Sequence, residues 1–165
     1  MPVLRTASLL AATVTMGLTA GLFYAYACSV MIALRGVDDR TFVDVMQRIN
    51  TSILNGWFGI GFGGAILLTG ITAALHRQGG ARSVLPWIVA AIVLYGVMFV
   101  VTSAVNVPLN NQLAAAGAPD GIADLAGLRA HFEGTWVRWN IVRAIASTGA
   151  LGCLAWALVL EGRIR

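Results

Sequence analysis

The sequence predicts an all-α integral membrane protein, a four-helix bundle with helical extensions outside the bilayer. Of its 165 residues, 58% are hydrophobic and only 11% are charged, whereas a typical soluble domain has about a quarter charged residues. Four stretches contain no Asp, Glu, Lys or Arg, and each can supply a helix across a bilayer core about 30 Å thick. They are residues 6–34, 49–75, 83–119 and 144–160. A soluble enzyme, a disordered chain and a disulfide-stapled module are thereby excluded.

The four spans are predicted within a single transmembrane domain that covers residues 1–165. The first uncharged run is too long for the apolar core of a signal peptide, which has about 7–15 residues, so it is assigned to a helix. The third span is expected to stop near Pro108, because proline lacks the N–H that continues a helix. The predicted spans are at about residues 7–34, 53–76, 84–106 and 140–160.

Two helical segments are predicted outside the bilayer. The first is an amphipathic helix at about residues 39–52, with Asp38 or Asp39 at its N-terminus. Its apolar residues recur at helical spacing: Phe42, Val45, Met46 and Ile49, followed by Ile53. The second is the start of the last helix, at about residues 124–139.

The arginines set the expected orientation, because basic residues concentrate in cytoplasmic connections. All eleven basic residues are arginines. Five lie near the two ends and in the second connection, where Glu161 is the only acid, and six share the other connections with six acids. We therefore expect both termini in the cytoplasm, in a bacterial-type inner (plasma) membrane. The net charge of +4 is spread without a basic cluster, so the bilayer and not a nucleic acid is the expected partner.

Polar residues that are costly at membrane depth converge toward one end of the predicted bundle. Asn106, Asn110 and Asn111 surround Pro108. Five residues of the last helix recur at intervals of four and three and so form one stripe: Arg129, Glu133, Trp136, Asn140 and Arg143. Asn50 comes from the preceding half of the chain, and His131 lies beside the stripe. This set is the candidate site.

Each of these residues also has a purely structural explanation. Asparagines can cap helix ends, Arg129 and Glu133 can form an ordinary i,i+4 pair, and Trp136 can anchor the helix at the membrane interface. Arg143 is different, because an unpaired guanidinium next to lipid is expensive. It requires asparagine amides, Glu133, or an anionic or phenolic ligand as its partner.

Metal chemistry has little support in the sequence. The chain has two histidines, His76 and His131, which the predicted topology puts at opposite ends of the bundle. It has no HxxxH motif and no cluster of cysteine and histidine. We therefore predict no metal site and no cofactor.

Four sequence elements, in order along the chain, support a family resemblance. They are GLFYAY at 21–26, MQRIN at 46–50 with LNGWF at 54–58, NVPLNN at 106–111, and WVRWNIVR at 136–143. Together they resemble the anthrone oxygenase-like family of small four-helix membrane proteins, over nearly the whole chain. The resemblance implies a membrane-embedded oxidoreductase. Some members oxidise anthrones to anthraquinones without a flavin or an established metal, while many have no assigned reaction.

The implied reaction is the oxidation of an aromatic or phenolic, polyketide-like or quinol-like substrate by O₂. Loss of a C–H proton from an anthrone gives a carbanion that is delocalised as an oxyanion. The reaction needs an aromatic slot, donors for the oxyanion and a base. We assign Trp136 and Tyr24 to the slot, Arg143, Asn106 and Asn140 to the donors, and His131 or Glu133 to the base. Further substrate-binding candidates are Asn50, Asn110 and Arg129.

A second class of function stays open at this stage. The chain can instead be a non-catalytic membrane protein that binds a lipid or a quinone, or a small subunit of a membrane complex or transporter. A homo-oligomer also stays open. In both classes the expected ligand is a small aromatic or lipid-like molecule.

Overall fold

The computed structural model describes residues 2–77 and 82–164, and over these ranges all regular structure is helical. Four continuous helical stretches in them have the length and apolar composition to cross a membrane: Val3–Leu34, Gly56–Leu75, Leu85–Ala115 and Leu125–Arg163. The prediction of an all-α membrane protein with four long helices is therefore confirmed. The elements are α1 (Pro2–Ala25), a π-helical turn (Tyr26–Val30), α2 (Met31–Leu34), α3 (Asp39–Ser52), α4 (Gly56–Leu75), α5 (Leu85–Val101), a second π-helical turn (Thr102–Asn106), α6 (Val107–Ala115), a short 3₁₀ turn (Pro119–Gly121) and α7 (Leu125–Arg163).

Both helices that were expected to begin outside the bilayer have an aspartate side chain as their N-terminal cap. Asp38 precedes α3, and its carboxylate accepts a hydrogen bond from the backbone N–H of Thr41 (3.0 Å). Asp124 precedes α7 and accepts in the same way from Gly127 (2.8 Å). These contacts satisfy backbone donors that have no partner within the helix.

The third long helix does not end at Pro108, contrary to the expectation from the sequence. α5 and α6 form one helix through a π-helical turn, in which the N–H of Val107 bonds to the carbonyl of Thr102, five residues earlier. Pro108 is the second residue of α6, directly after this wider turn. The helix therefore continues to Ala115.

Two hydrophobic clusters stabilise the bundle at different levels. The larger cluster lies among α1, α4, α5 and α7 and includes Leu9, Met16, Ile88 and Leu154. The smaller cluster joins α2, α3 and α6 to the first part of α7 and includes Met31, Phe42, Met46, Leu109 and Phe132. The side chains between these two clusters form the candidate site.

Polar contacts join the helices at the end of the bundle that is farther from the candidate site. Arg5 of α1 donates from Nε to the carbonyl of Leu75 (2.8 Å). His76 is fully buried and donates from Nδ1 to the carbonyl of Thr72 (2.7 Å), while its Nε2 lies 3.3 Å from a carboxylate oxygen of Glu161. The ends of α1, α4 and α7 are therefore held together by polar side chains and not only by apolar packing.

Candidate ligand-binding cavity

A cavity of about 650 Å³ lies between the end of α1, α3, the start of α4, the α5–α6 helix and the middle of α7. Its walls are mainly apolar, and six of the lining residues are aromatic: Phe23, Tyr26, Phe58, Phe62, Phe99 and Trp136. Arg143 is the one residue with a formal charge among those that line the cavity. The lining contains no Asp, Glu or His.

The aromatic wall is continuous across two helices. Phe58 and Phe62, one turn apart on α4, stack with ring centroids 5.0 Å apart, and Phe62 contacts Phe99 of α5 at 5.7 Å. The neighbouring Tyr95 donates from its hydroxyl to the carbonyl of Phe62 (2.6 Å), which ties α5 to α4. On the other side, the ring of Tyr26 lies 5.9 Å from that of Trp136. The cavity can therefore enclose a flat aromatic molecule between rings.

Arg143 projects from the middle of α7 and is only 5% exposed. Its guanidinium carbon lies 4.4 Å from the ring centroid of Phe23 and 5.1 Å from that of Trp136. Nη2 donates to the side-chain oxygen of Asn140 (2.9 Å), whereas the buried Nε has no hydrogen-bond partner. Among the described residues, none of the ion pairs involves Arg143.

Three amide side chains hold the Arg143 region in place. Asn140 donates to the carbonyl of Phe23 (3.2 Å) while it accepts from Arg143. Asn110 accepts from the indole N–H of Trp136 (2.8 Å). Asn106, fully buried at the end of the second π-helical turn, donates to the backbone carbonyl of Trp136 (3.3 Å). Asn106 therefore supports the cavity wall from behind and does not line the cavity.

The structure brings six of the sequence candidates together around the cavity. Besides Trp136, Asn140 and Arg143, they include Asn50, Asn110 and Asn111. The side-chain nitrogen of Asn50 is buried without a hydrogen-bond partner. The stripe on α7 and the asparagine-rich end of α6 therefore meet as expected, and α3 closes the cavity.

Tyr24 does not line the cavity, contrary to its assignment to the aromatic slot. Its side chain is on the outer surface, with 62% of the residue exposed. Phe23 and Tyr26, one helical turn apart, face inward and line the cavity in its place. Tyr24 points away because adjacent residues on a helix diverge by about 100°.

The residues assigned as a base also lie away from the cavity. His131 is exposed. Glu133 is paired with Nε of Arg129 (2.7 Å), and neither residue lines the cavity. The stripe on α7 is longer than the cavity. At about 1.5 Å per residue, Arg129 lies about 21 Å from Arg143 along the helix axis.

Arg129, an expected substrate-binding residue, does not line the cavity and makes structural contacts instead. Its guanidinium donates to the carbonyls of Leu34 (3.2 Å) and Val37 (2.8 Å) and contacts the carboxylate of Asp39 (3.0 Å). It also stacks over the ring of Phe42, 4.5 Å from the centroid. Arg129 thereby fastens the connection between α2 and α3 to α7.

Sequence reasoning missed Tyr26, Gln47 and the three phenylalanines of α4 and α5. Phe58 and Phe62 carry a usable signal, since two aromatic residues four apart lie on one face of a helix. Gln47 donates to the carbonyls of Leu113 (2.8 Å) and Gly117 (2.9 Å), and no local pattern predicts such a contact between distant helices.

The fold and the cavity define a class, namely a multi-helix membrane protein with an apolar, aromatic-lined cavity that contains a single cation. The family described as anthrone oxygenase matches residues 55–153, more than half of the chain, and the chain belongs to this family. The matched range includes Phe58, Trp136 and Arg143. Neither the curated proteins nor the solved structures contain a significant match.

Proposed function

We propose that the cavity binds a planar phenolic compound of the polyketide or quinol type, and that the protein catalyses its oxidation by O₂. One observation carries the proposal: a buried guanidinium without a carboxylate partner lies between aromatic rings in a cavity of a protein from the anthrone oxygenase family. A phenolic or enolic oxygen supplies the missing partner, and its aromatic rings fit the apolar walls.

The size and lining of the cavity support a small-molecule ligand. Binding sites of this kind usually have volumes of about 300–1,000 Å³, apolar walls and a few polar groups that orient the ligand. The cavity has a volume of about 650 Å³, and its polar groups lie on α3, α6 and α7. A fused-ring aromatic compound with oxygen substituents satisfies both features.

The proposed reaction converts an anthrone CH₂ group and O₂ into a carbonyl group and water. Loss of a proton from the CH₂ group gives a carbanion whose charge is delocalised onto the carbonyl oxygen. The anion reduces O₂ and forms a C–O bond as a peroxide anion. This anion takes up one proton, equivalent to the one released in the first step, and the resulting hydroperoxide loses water to give the quinone. Arg143 stabilises the oxyanion. Asn140 positions Arg143, because both ends of its amide are already bonded to protein atoms.

We also propose that the cavity opens toward the periplasmic side of an inner membrane, with both termini in the cytoplasm. The distribution of arginines supports this orientation. The exposed residues that line the cavity are of both kinds: Leu54, Phe99 and Val107 are apolar, and Thr51, Ser103 and Asn111 are polar. A substrate with aromatic rings and oxygen substituents can therefore contact both kinds of side chain on its way to Arg143.

The experiment compares aerobic and anaerobic incubation of the purified protein, in lipid nanodiscs, with a panel of anthrones and hydroquinones. We expect one O₂ consumed per quinone formed, and no quinone without O₂. Arg143→Gln protein is the matched control for spontaneous oxidation. Tight binding without O₂ uptake above this control would contradict the oxidase proposal and favour a non-catalytic lipid or quinone binder.

A further inference from the structure

We propose that the cavity selects the anionic form of its ligand, so that a phenol or enol releases its proton to solvent on binding and Arg143 is the counter-ion. This inference rests on the proposed function and names the protonation state of the substrate in the same cavity. Binding is written HL → L⁻ + H⁺, with no transfer of electrons. The oxyanion required for reaction with O₂ is then present before O₂ arrives.

The first support is that the protein has no acid left for Arg143. The seven acidic residues are all described and all engaged elsewhere. Two of them cap helices, four form ion pairs with Arg40, Arg48 or Arg129, and one lies beside His76. They are Asp38 and Asp124; Asp39, Asp44, Asp120 and Glu133; and Glu161.

The second support is the surroundings of the guanidinium. The ring faces of Phe23 and Trp136 attract a cation but carry no net charge, so they do not neutralise it. The contact from Asn140 is a dipole and not a charge. An ion in an apolar setting is stabilised far more by an opposite charge, and the ligand is the available source of one.

The third support is a pair of hydrogen-bond donors without partners. Nε of Arg143 on α7 and the side-chain nitrogen of Asn50 on α3 are both buried and unpaired, and both residues line the cavity. Buried donors in folded proteins are almost always satisfied. A ligand with an anionic oxygen at Arg143 and a second oxygen acceptor at Asn50 satisfies both donors.

The fourth support is that no side chain in the cavity is an ordinary base. Tyr26, beside Trp136, is the one other ionisable lining residue. The lining residues from α3, α4, α5 and α6 are amides, hydroxyls and apolar side chains. A nearby cation in an apolar environment favours the charged form of an acid. Arg143 can therefore promote deprotonation without a base of its own.

The test uses alizarin, a dihydroxyanthraquinone that is already oxidised and whose phenolate absorbs at longer wavelength than its phenol. Its absorbance is titrated with pH in nanodiscs that contain the protein and in empty nanodiscs. We expect bound alizarin to ionise at least about one pH unit lower in the presence of the protein, a tenfold shift in the ionisation constant. Arg143→Gln should abolish the shift, and the exposed Arg138→Gln should retain it.

Calorimetry of the unmodified protein gives an independent readout that does not depend on the variants. In two buffers with different ionisation enthalpies, we expect net proton release on binding, about half a proton per alizarin for a shift of one pH unit, at a pH midway between the pKa values of the free and bound dye. If Arg143→Gln fails to fold, Arg143→Lys is measured in its place. This variant keeps a cation and should therefore retain part of the spectral shift.

The outcomes separate the two proposals. Alizarin that binds to the unmodified protein without a spectral shift and without proton release would overturn the anionic selection and leave the proposed function standing. Failure of the unmodified protein to bind alizarin, anthrones or hydroquinones would overturn the proposed function itself. A shift that persists in folded Arg143→Gln would overturn the role of Arg143.

Discussion

At the scale of single residues, the surroundings of Arg143 distinguish a membrane anchor from a ligand group. A lysine at an interface can extend its amine to water as well as an arginine can. A lysine between two rings cannot reproduce the flat, forked guanidinium or its stacking. Arg143 lies between the rings of Phe23 and Trp136 and donates to Asn140, and a lysine could not make the same set of contacts.

We therefore expect Arg143→Lys to fold and insert normally but to lower ligand affinity or turnover by at least about tenfold, which corresponds to about 1.4 kcal/mol. The measurement is Kd or kcat/KM at matched expression and thermal stability. Arg138→Lys, on the exposed side of α7, is the control and should be silent. Unchanged binding and turnover in Arg143→Lys would assign Arg143 to helix anchoring.

Tyr24 and Tyr26 provide a matched pair for the cavity wall. Tyr26→Ala removes a ring that lines the cavity and contacts Trp136. We expect a loss of about 1 kcal/mol or more of binding free energy, about fivefold in Kd, since such ring contacts contribute about 0.5–1.5 kcal/mol beyond burial. Tyr24→Ala removes an exposed ring and should leave Kd unchanged. Equal effects of the two substitutions, measured by ligand titration, would contradict the placement.

The residues around the cavity show which parts of the site the sequence can predict. Trp136, Asn140 and Arg143 are predictable because they recur at helical spacing where the last uncharged stretch begins, and a guanidinium next to lipid is expensive without a partner. The inward position of Tyr26 is not predictable. Tyr24 and Tyr26 have similar sequence neighbours, and they differ only in the side of the helix on which they lie. Glu133 is paired with Arg129 of the same stripe, which is the i,i+4 pair that the sequence also allowed.

At the scale of elements, helix ends follow local chemistry closely. The α3 helix begins after Asp38, at the position that the sequence indicates for a cap. The π-helical turns have no comparable signature, because an extra residue in a turn does not alter composition or hydrophobic period enough to detect. The continuation of α5 into α6 past Pro108 depends on such a turn and was therefore unpredictable.

The cap of α3 gives a pH dependence with a defined sign. Hydrogen bonds from the hydroxyl and backbone N–H of Thr41 hold the pKa of Asp38 below its usual value. A lowered pKa means that the cap contributes its full stability above the ordinary carboxyl pKa and loses it as pH falls through the lowered value. We expect Asp38→Asn, which caps without ionising, to remove this acid-dependent part of the Tm profile.

Thermal unfolding in detergent between neutral and acid pH provides the measurement. Asp38→Ala is the companion variant, with no cap at any pH, and should be less stable than the unmodified protein near neutrality. Identical Tm profiles for all three proteins would show that the cap does not limit the stability of the folded state.

At the scale of the whole molecule, the described helices organise polar groups into two separate ends. One end contains the cavity with Arg143, and the other contains His76 beside Glu161. Length and hydropathy predict the four long helices well. The sequence does not predict which helix faces pack against each other. The spans are apolar almost all around, so the periodicity of hydrophobic residues gives little information about the buried face.

The orientation across the membrane is testable with single cysteines in a background that lacks Cys28 and Cys153. A membrane-impermeant thiol reagent, added to intact spheroplasts, should label a cysteine at Ala118 and should label one at Gly162 only after lysis. Both positions are exposed and lie at opposite ends of the bundle. Labelling of Gly162 before lysis, with Ala118 protected, would reverse the proposed orientation.

The two π-helical turns give this architecture an unusual sensitivity to chain length. They occur in α1–α2 and α5–α6, on two helices that both border the cavity, and each contains one residue more than an α-helical turn would. Successive residues of a helix point in directions about 100° apart. An insertion or deletion of one residue in either turn therefore changes the direction of every side chain in the helix beyond it. Relatives that differ by one residue there would present a different lining to a cavity of the same shape. Ligand preference in such a bundle can therefore diverge through single-residue changes in length, while α1 and α5, which precede the turns, keep their packing.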